Sequence, residues 1–157
     1  MSATDPLVVE VVSVRLPEAT LLMARLTEEL ARRYDDDGVG GFRPDDVEVP
    51  RSGFVVARWE GRAVACGAFR PLTGELAEIK RMYVEPDFRG RGIGRRILLA
   101  LEDEARRAGY ARVRLETGTL QPEALGLYES AGYYRIECYG FYRDDPRSVC
   151  FEKVLSG

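Results

Sequence analysis

The run Arg89-Gly90-Arg91-Gly92-Ile93-Gly94-Arg95-Arg96 carries the chemistry most readily read from this chain. Glycines at alternate positions let the backbone take positive φ and come close to a ligand. The arginines add long-range attraction for a polyanion. After the run, Ile93, Ile97, Leu98, Leu101 and Ala105 fall at helical spacing. A helix starting there offers unpaired N–H groups and the positive end of its dipole to a phosphate. Before the run, Ala77 to Val84 reads as a strand. Strand, glycine turn and helix start together make an anion site built from backbone. The same run taken alone would be a solvated basic turn. A dinucleotide fingerprint is excluded, because the third glycine position counted from Gly90 is Arg95. A P-loop is excluded too, because no Gly-Lys is followed by Ser or Thr.

Proton-transfer groups come next, and the composition narrows them. The chain has 157 residues, no histidine and three cysteines, Cys66, Cys138 and Cys150, with no Cys-x-x-Cys. A zinc site, a Cys/His nucleophile and a Ser/His/Asp triad therefore fall away. The cysteines lie in apolar surroundings and read as buried reduced thiols. Catalysis must then rest on carboxylates, tyrosine, backbone groups or water. Strict alternation places Glu78 and Lys80 on one strand face, with Ile79 and Arg81 on the other. Glu78 has two readings: a base, direct or through water, or an ion-pair partner of Lys80, Arg81 or a cross-strand arginine. Glu116, near the end of the next strand, is a second candidate base.

These residues need elements to hold them. Leu7 to Val14 reads as a strand, and Pro17 opens a helix with Ala19, Leu22, Met23, Leu26 and Leu30 on one face. Asp35 to Gly41 breaks that helix, and the polar segment to Arg51 reads as a lid or a plain surface loop. Phe54–Trp59 and Ala63–Phe69 flank a tight turn at Glu60-Gly61-Arg62. The second of these strands is apolar on both faces, as an interior strand should be. Gly109 closes the long helix, and Ala111–Glu116 is another strand. Pro122 opens a last helix bearing Ala124, Leu127, Tyr128 and Ala131 on one face, with Gly132 ending it. Tyr133–Tyr139 and Ser148–Lys153 complete the set as strands. Between them Tyr139 to Pro146 is unusually aromatic for a loop, and reads as a sheet-edge cover, an acceptor-pocket wall or an oligomer contact.

The length suits one domain that buries about 70% of its unfolded surface. With 45% hydrophobic and 31% charged residues it reads as an ordinary soluble globule. A net charge of −3 gives no argument for nucleic acid or acidic membranes, so the arginine cluster is local. The acidic start, Met1 to Pro6, lacks the basic and apolar regions of a signal peptide, and a cytoplasmic location is expected.

Arg89 to Gly94 matches Arg-x-x-Gly-x-Gly after a strand that ends in Val84-Glu85-Pro86, and Leu127-Tyr128-Glu129-Ser130-Ala131-Gly132-Tyr133 follows downstream. Together these motifs resemble the acyl-CoA-binding and leucine-tyrosine signatures of the GNAT superfamily of N-acetyltransferases, over a single domain spanning Leu7 to Leu155. The resemblance implies an α/β (α+β) fold. Its sheet is mixed, strongly twisted and mostly antiparallel, with about seven strands and helices on both faces. The fourth and fifth strands are parallel and splay apart.

The resemblance also implies that acetyl-CoA donates its acetyl group, without a metal, to a small-molecule primary amine that attacks directly. Free CoA is the product. Such an amine has a pKa near ~10.4, so a base or a desolvating site matters. Tyr128 takes the position of the family's general acid, although it would also serve as a packed tyrosine on its helix. The N–H groups from Arg89 through Gly90, Arg91, Gly92, Ile93, Gly94 and Arg95 are expected to hold the pyrophosphate. Met82, Tyr83 and Val84 should pair with the pantetheine arm. Gln121, three residues before Ala124, stands where family members commonly carry asparagine. Such domains often pair through their C-terminal strands, which allows a homodimer. A protein or peptide acetyltransferase and a non-catalytic acyl-CoA sensor stay open as alternatives.

Overall fold

The computed structural model describes residues 5–34 and 42–155; the expected helix break at Asp35 to Gly41 lies outside them. The chain runs β1 (Leu7–Val12), α1 (Pro17–Tyr34), β2 (Gly53–Trp59), β3 (Arg62–Pro71), β4 (Leu76–Val84), α2 (Ile93–Arg107), β5 (Arg112–Gly118), α3 (Pro122–Ser130), β6 (Tyr134–Ile136) and β7 (Ser148–Val154). The strands form one open sheet in the order β1-β2-β3-β4-β5-β7-β6. All neighbours are antiparallel except β4 and β5. No helix among the described residues is long and apolar enough to cross a membrane.

Alternation along the strands sorts the core into two layers. On one face α1 buries Ala19, Leu22, Met23 and Leu26 against Phe54, Val56, Cys66, Ala68 and Tyr83. On the other, α2 buries Ile93, Ile97, Leu98, Leu101 and Ala105 against Val55, Ala57, Phe69, Ile79 and Leu115. β3 is buried from Val64 to Phe69 on both faces, as its composition requires of an interior strand. Glu60 and Gly61 both take positive φ, 49° and 86°, the turn that follows the twist of the β2–β3 hairpin.

The parallel β4–β5 pairing runs only from Leu76↔Arg112 to Ile79↔Leu115. Beyond it β4 stays with β3, and β5 pairs with β7 from Glu116↔Cys150 to Gly118↔Ser148. The sheet therefore opens between Lys80–Val84 and Glu116–Gly118. A bulge lies at the opening: Cys66 faces Tyr83 and Ala68 faces Lys80, so Arg81 and Met82 together oppose Gly67. Arg81 sits at φ 57°, a conformation costly for a residue with a side chain.

Several expectations are corrected here. The bulge breaks strict alternation, so Arg81 shares the α1 side with Lys80, donating to Met23 O at 2.8 Å and Thr27 Oγ1 at 2.6 Å, while Ile79 packs on the α2 side. β1 ends at Val12, two residues short of Val14, and β6 stops at Ile136 instead of reaching Tyr139. The cysteines are not all reduced thiols. Cys138 and Cys150 form a disulfide across 12 residues, and only Cys66 is free, buried, with its thiol pushed up to about 12. Closing a loop of that length stabilises the fold by roughly 3 kcal/mol in the chain-entropy account.

Packing of α2 on β3 depends on the absence of a side chain at Gly67. A Cβ there would lie 2.8 Å from both Ile97 Cγ2 and Leu101 Cδ1. Gly67→Ala should destabilise the protein by about 1–3 kcal/mol, as overpacking does. Thermal unfolding followed by circular dichroism checks this, with Tm expected to fall by ~2–4 °C for each kcal/mol.

Candidate active site

Two cavities meet where the sheet opens. The first, of about 270 Å³, lies between the end of β4, the glycine loop and α3. Its floor is the start of α2, which follows Gly92 at φ 79° and has no side-chain cap. The first N–H groups of that helix have no intrahelical partners and face a wall without Cβ atoms at Gly90, Gly92 and Gly94. A Cβ at Gly92 would meet nothing within 4 Å, so this glycine is required by the backbone turn and leaves space beside it.

Most of the residues expected around a cofactor line this cleft: Met82, Tyr83, Val84, Arg89, Gly90, Gly92, Ile93, Gly94, Arg95, Gln121, Ala124 and Tyr128. Arg91 does not. Its guanidinium lies 4.9 Å from the ring centres of both Trp59 and Phe88. Arg89 is tied down, donating to Val84 O at 2.9 Å and Glu29 Oε1 at 2.8 Å. Arg96 points to Asp5 at 2.9 Å. Three of the arginines are thus committed elsewhere in the protein, while Arg95 lines the cleft and donates to the neutral Ser130 Oγ. Sequence reasoning missed the contribution of α1, whose Leu26 and Glu29 also line the cleft. No local signal marks them, since both sit on an ordinary amphipathic helix.

The second cavity, of about 220 Å³, lies on the α1 side between Lys80–Met82, Glu116–Gly118 and the chain approaching β7. Leu26, Met82, Gln121 and Tyr128 line both cavities. Tyr128 is buried, its ring against Tyr133 and Phe151 at 5.8 and 5.9 Å, and its hydroxyl donates to Met82 Sδ at 3.6 Å. Burial first, and the Glu116 charge second, push its phenol well above its ordinary value of 10. It keeps its proton throughout the physiological range.

The two candidate bases are placed differently. Glu78 is 1% exposed, lines neither cavity, and is fully engaged. Its Oε1 accepts from Arg70 Nη2 at 2.7 Å and Nε at 2.9 Å, and its Oε2 from Tyr139 at 2.7 Å. Arg70 is its cross-strand neighbour and reaches on to Asp46 at 2.6 Å. Glu116 lines the second cavity, accepting from Ser148 Oγ at 2.8 Å. Burial raises its carboxyl above the usual 4.5, partly offset by the Ser148 hydrogen bond and the Lys80 charge.

The aromatic C-terminal stretch walls this cavity through Tyr142 and Asp145, and Arg147 and Ser148 just beyond it continue the wall. Among the described residues of the expected lid, 42–51, none lines it. That segment instead braces the Arg70–Glu78 pair through Asp46, with Phe42 beneath Arg70 and Arg81 at 5.9 Å from each. Tyr34, at the end of α1, lines the cavity as well. It donates to Gln121 Oε1 and accepts from Leu120 N, both at 3.1 Å, over a Gly118 whose missing Cβ leaves it room.

A model of the acetyltransferase (GNAT) family matches residues 18–133. The IAA acetyltransferase of Azospirillum brasilense is 46% identical over 103 residues, 65% of this chain and 67% of that protein. A solved Klebsiella pneumoniae protein assigned as an acyl-CoA N-acyltransferase superposes with a TM-score of 0.80 at 30% identity, covering 96% of this chain and 98% of its own. A Salmonella typhimurium protein assigned as an acetyltransferase, solved with its cofactor acetyl-CoA, has the same fold, with a TM-score of 0.68 at 18% identity over 97% of this chain and 95% of its own. By its sequence over most of its length and by its fold, the chain belongs to the acetyltransferase (GNAT) family of acyltransferases.

Proposed function

We propose that this protein moves the acetyl group of acetyl-CoA to the primary amine of a small molecule by direct attack. The observation that carries this reading is that a glycine-walled cleft and a charged cavity share Tyr128 as a common wall. The cleft suits acetyl-CoA on its own chemistry. An uncapped helix start and glycine backbone would hold the pyrophosphate, and the outer part of β4, Met82 to Val84, open on its β5 side, would hold the pantetheine arm. When bound, acetyl-CoA supplies an activated acetyl thioester and departs as the CoA thiolate.

The chain's own groups handle the protons. Glu116, in the cavity and raised by burial, takes one from the acceptor's ammonium. Tyr128 gives one to the departing sulfur. Glu78 acts at one remove, as the anchor that fixes Arg70 and Tyr139. A small acceptor is favoured over a peptide because the cavity is compact and Tyr34 narrows it against the loop before α3.

Three measurements test this. Acetyl-CoA binding by calorimetry should weaken by about 100-fold or more in Gly92→Glu, where a carboxylate would face the pyrophosphate site from a strained position. Thiol release with an amine panel should show turnover in the wild type. Tyr128→Phe should lose ~10²–10⁴-fold in kcat while still binding acetyl-CoA. Turnover with no amine, despite binding, would leave a sensor as the reading. The rate should rise with pH through the raised carboxyl of Glu116, because the base must be unprotonated, and Glu116→Gln should lose that acidic limb.

A further inference from the structure

The acceptor cavity holds an imbalance of charge that the transfer reaction does not require. Its acidic groups are accounted for: Asp145 pairs with Arg147 at 3.2 Å and Glu116 is held by Ser148. Among its cations, Arg81 is drawn toward α1 by Met23 O and Thr27 Oγ1. Lys80 is different. Its half-buried ammonium reaches the Tyr142 hydroxyl, a neutral group, and no carboxylate among the described residues lies within ion-pair distance of it. The nearest acidic residue on its own strand face is Glu78, but both Glu78 oxygens are taken by Arg70 and Tyr139. Burial consequently lowers the proton affinity of Lys80, and the charges of Glu78 and Glu116 only partly restore it.

A half-buried ammonium held open to a cavity is a poor stabilising element and a good recognition element. It gains most from a ligand that brings its own carboxylate. Its place on β4 fixes where that carboxylate sits: Lys80 is two residues before Met82, which borders the cofactor cleft, so the two positions are at most roughly 7 Å apart along the strand. Glu116 lines the same cavity, close enough to feel the Lys80 charge and to act on Tyr128, so a molecule whose carboxylate rests on Lys80 and whose amine reaches Glu116 is a short one. The opposite wall is built to hold still. Tyr142 lies in the segment closed by the Cys138–Cys150 disulfide, and packs edge-on against Tyr139 at 5.8 Å.

Resting on the proposed acetyl transfer, we infer that the acceptor is a small amino acid, whose carboxylate is bound by Lys80 and Tyr142 and whose amine is presented to Glu116. Within the reaction, the ammonium gives one proton to Glu116 and the free amine attacks the thioester carbonyl. The C–S bond breaks as Tyr128 protonates the sulfur, and the second N–H proton, released as the amide forms, restores the Tyr128 phenol; the carboxylate is unchanged throughout.

The test is CoA thiol release from acetyl-CoA, measured with glycine, β-alanine, 4-aminobutyrate and L-phenylalanine, each beside its own carboxamide. At least one acid should exceed its amide by about 10–100-fold in kcat/KM, chiefly through KM, the range expected for one charge-assisted contact. Lys80→Met should erase that ratio, and Lys80→Arg should keep most of it. Amides that match or beat every acid in the wild type would overturn the inference and leave acetyl transfer standing. A Lys80→Met variant that loses kcat equally with acids and amides would overturn it too, by giving Lys80 a role on the amine. If neither series reacts or binds to the acetyl-CoA-loaded protein, the small-amine reading fails, and this one with it.

Discussion

Two strands that begin as hydrogen-bonded parallel neighbours and then separate make the rest of this molecule possible. After Ile79 and Leu115, β4 and β5 no longer share a ladder, and each keeps its other neighbour. The backbone groups exposed by that parting would be costly inside a sheet unless something pairs with them. The bulge at Arg81 coincides with the parting, where an extra residue raises the local twist of β4 and swings its outer half away. Its cost in backbone strain is met by contacts that no regular strand would make. The Arg81 guanidinium is fastened to α1, and the Arg81 carbonyl accepts from the buried Cys66 thiol at 3.4 Å. The same residue that opens the sheet also ties the opened edge to the helix above it.

Behind the opening, buried charge is used for placement. Asp46, Arg70, Glu78 and Tyr139 form a chain that joins a surface turn, β3, β4 and the segment before β7. With Glu78 1% exposed, removing Arg70 would leave an unpaired carboxylate in the core. The disulfide acts on the same segment from its other side, shortening the chain that carries Tyr142, Asp145 and Arg147 to the cavity. Two unlike constraints, an ion-paired network and a covalent link, thus fix one wall.

Much of this was legible in the sequence, and the misses share a physical cause. The glycine loop, the helix behind it and Tyr128 announce themselves because each depends on local geometry: positive φ, a bare helix start, a side chain one turn from its neighbours. The fate of the arginines was not legible. Arg91 and Arg89 have the same local context, yet one stacks on Phe88 and the distant Trp59 and the other pairs with Glu29, 60 residues away. The faces of Arg81 and Ile79 were misassigned because alternation assumes a regular strand, and a bulge carried by a non-glycine residue leaves no composition signal. The cysteine pairing was missed for a related reason. Cys138 reaches Cys150 only because β6 ends early and the chain turns back beside β7. Glu78 read equally as a base or as the partner of a cross-strand arginine, and only the register shows that arginine to be Arg70.

The junction of the two cavities joins these threads. A buried phenol normally finds a strong acceptor, because an unmatched hydroxyl in the core is expensive. Tyr128 instead donates to the thioether of Met82, a weak acceptor, with Glu116 near enough to raise its pKa but not hydrogen-bonded to it. Its proton is retained by burial and held by little else. A stronger acceptor entering from the cleft, such as a developing thiolate, would compete with a thioether at small cost. The bulge lies where Met82 borders both cavities beside Tyr128. The irregularity in β4 therefore does more than open a space. It also places beside Tyr128 a weak acceptor that leaves the hydroxyl proton available.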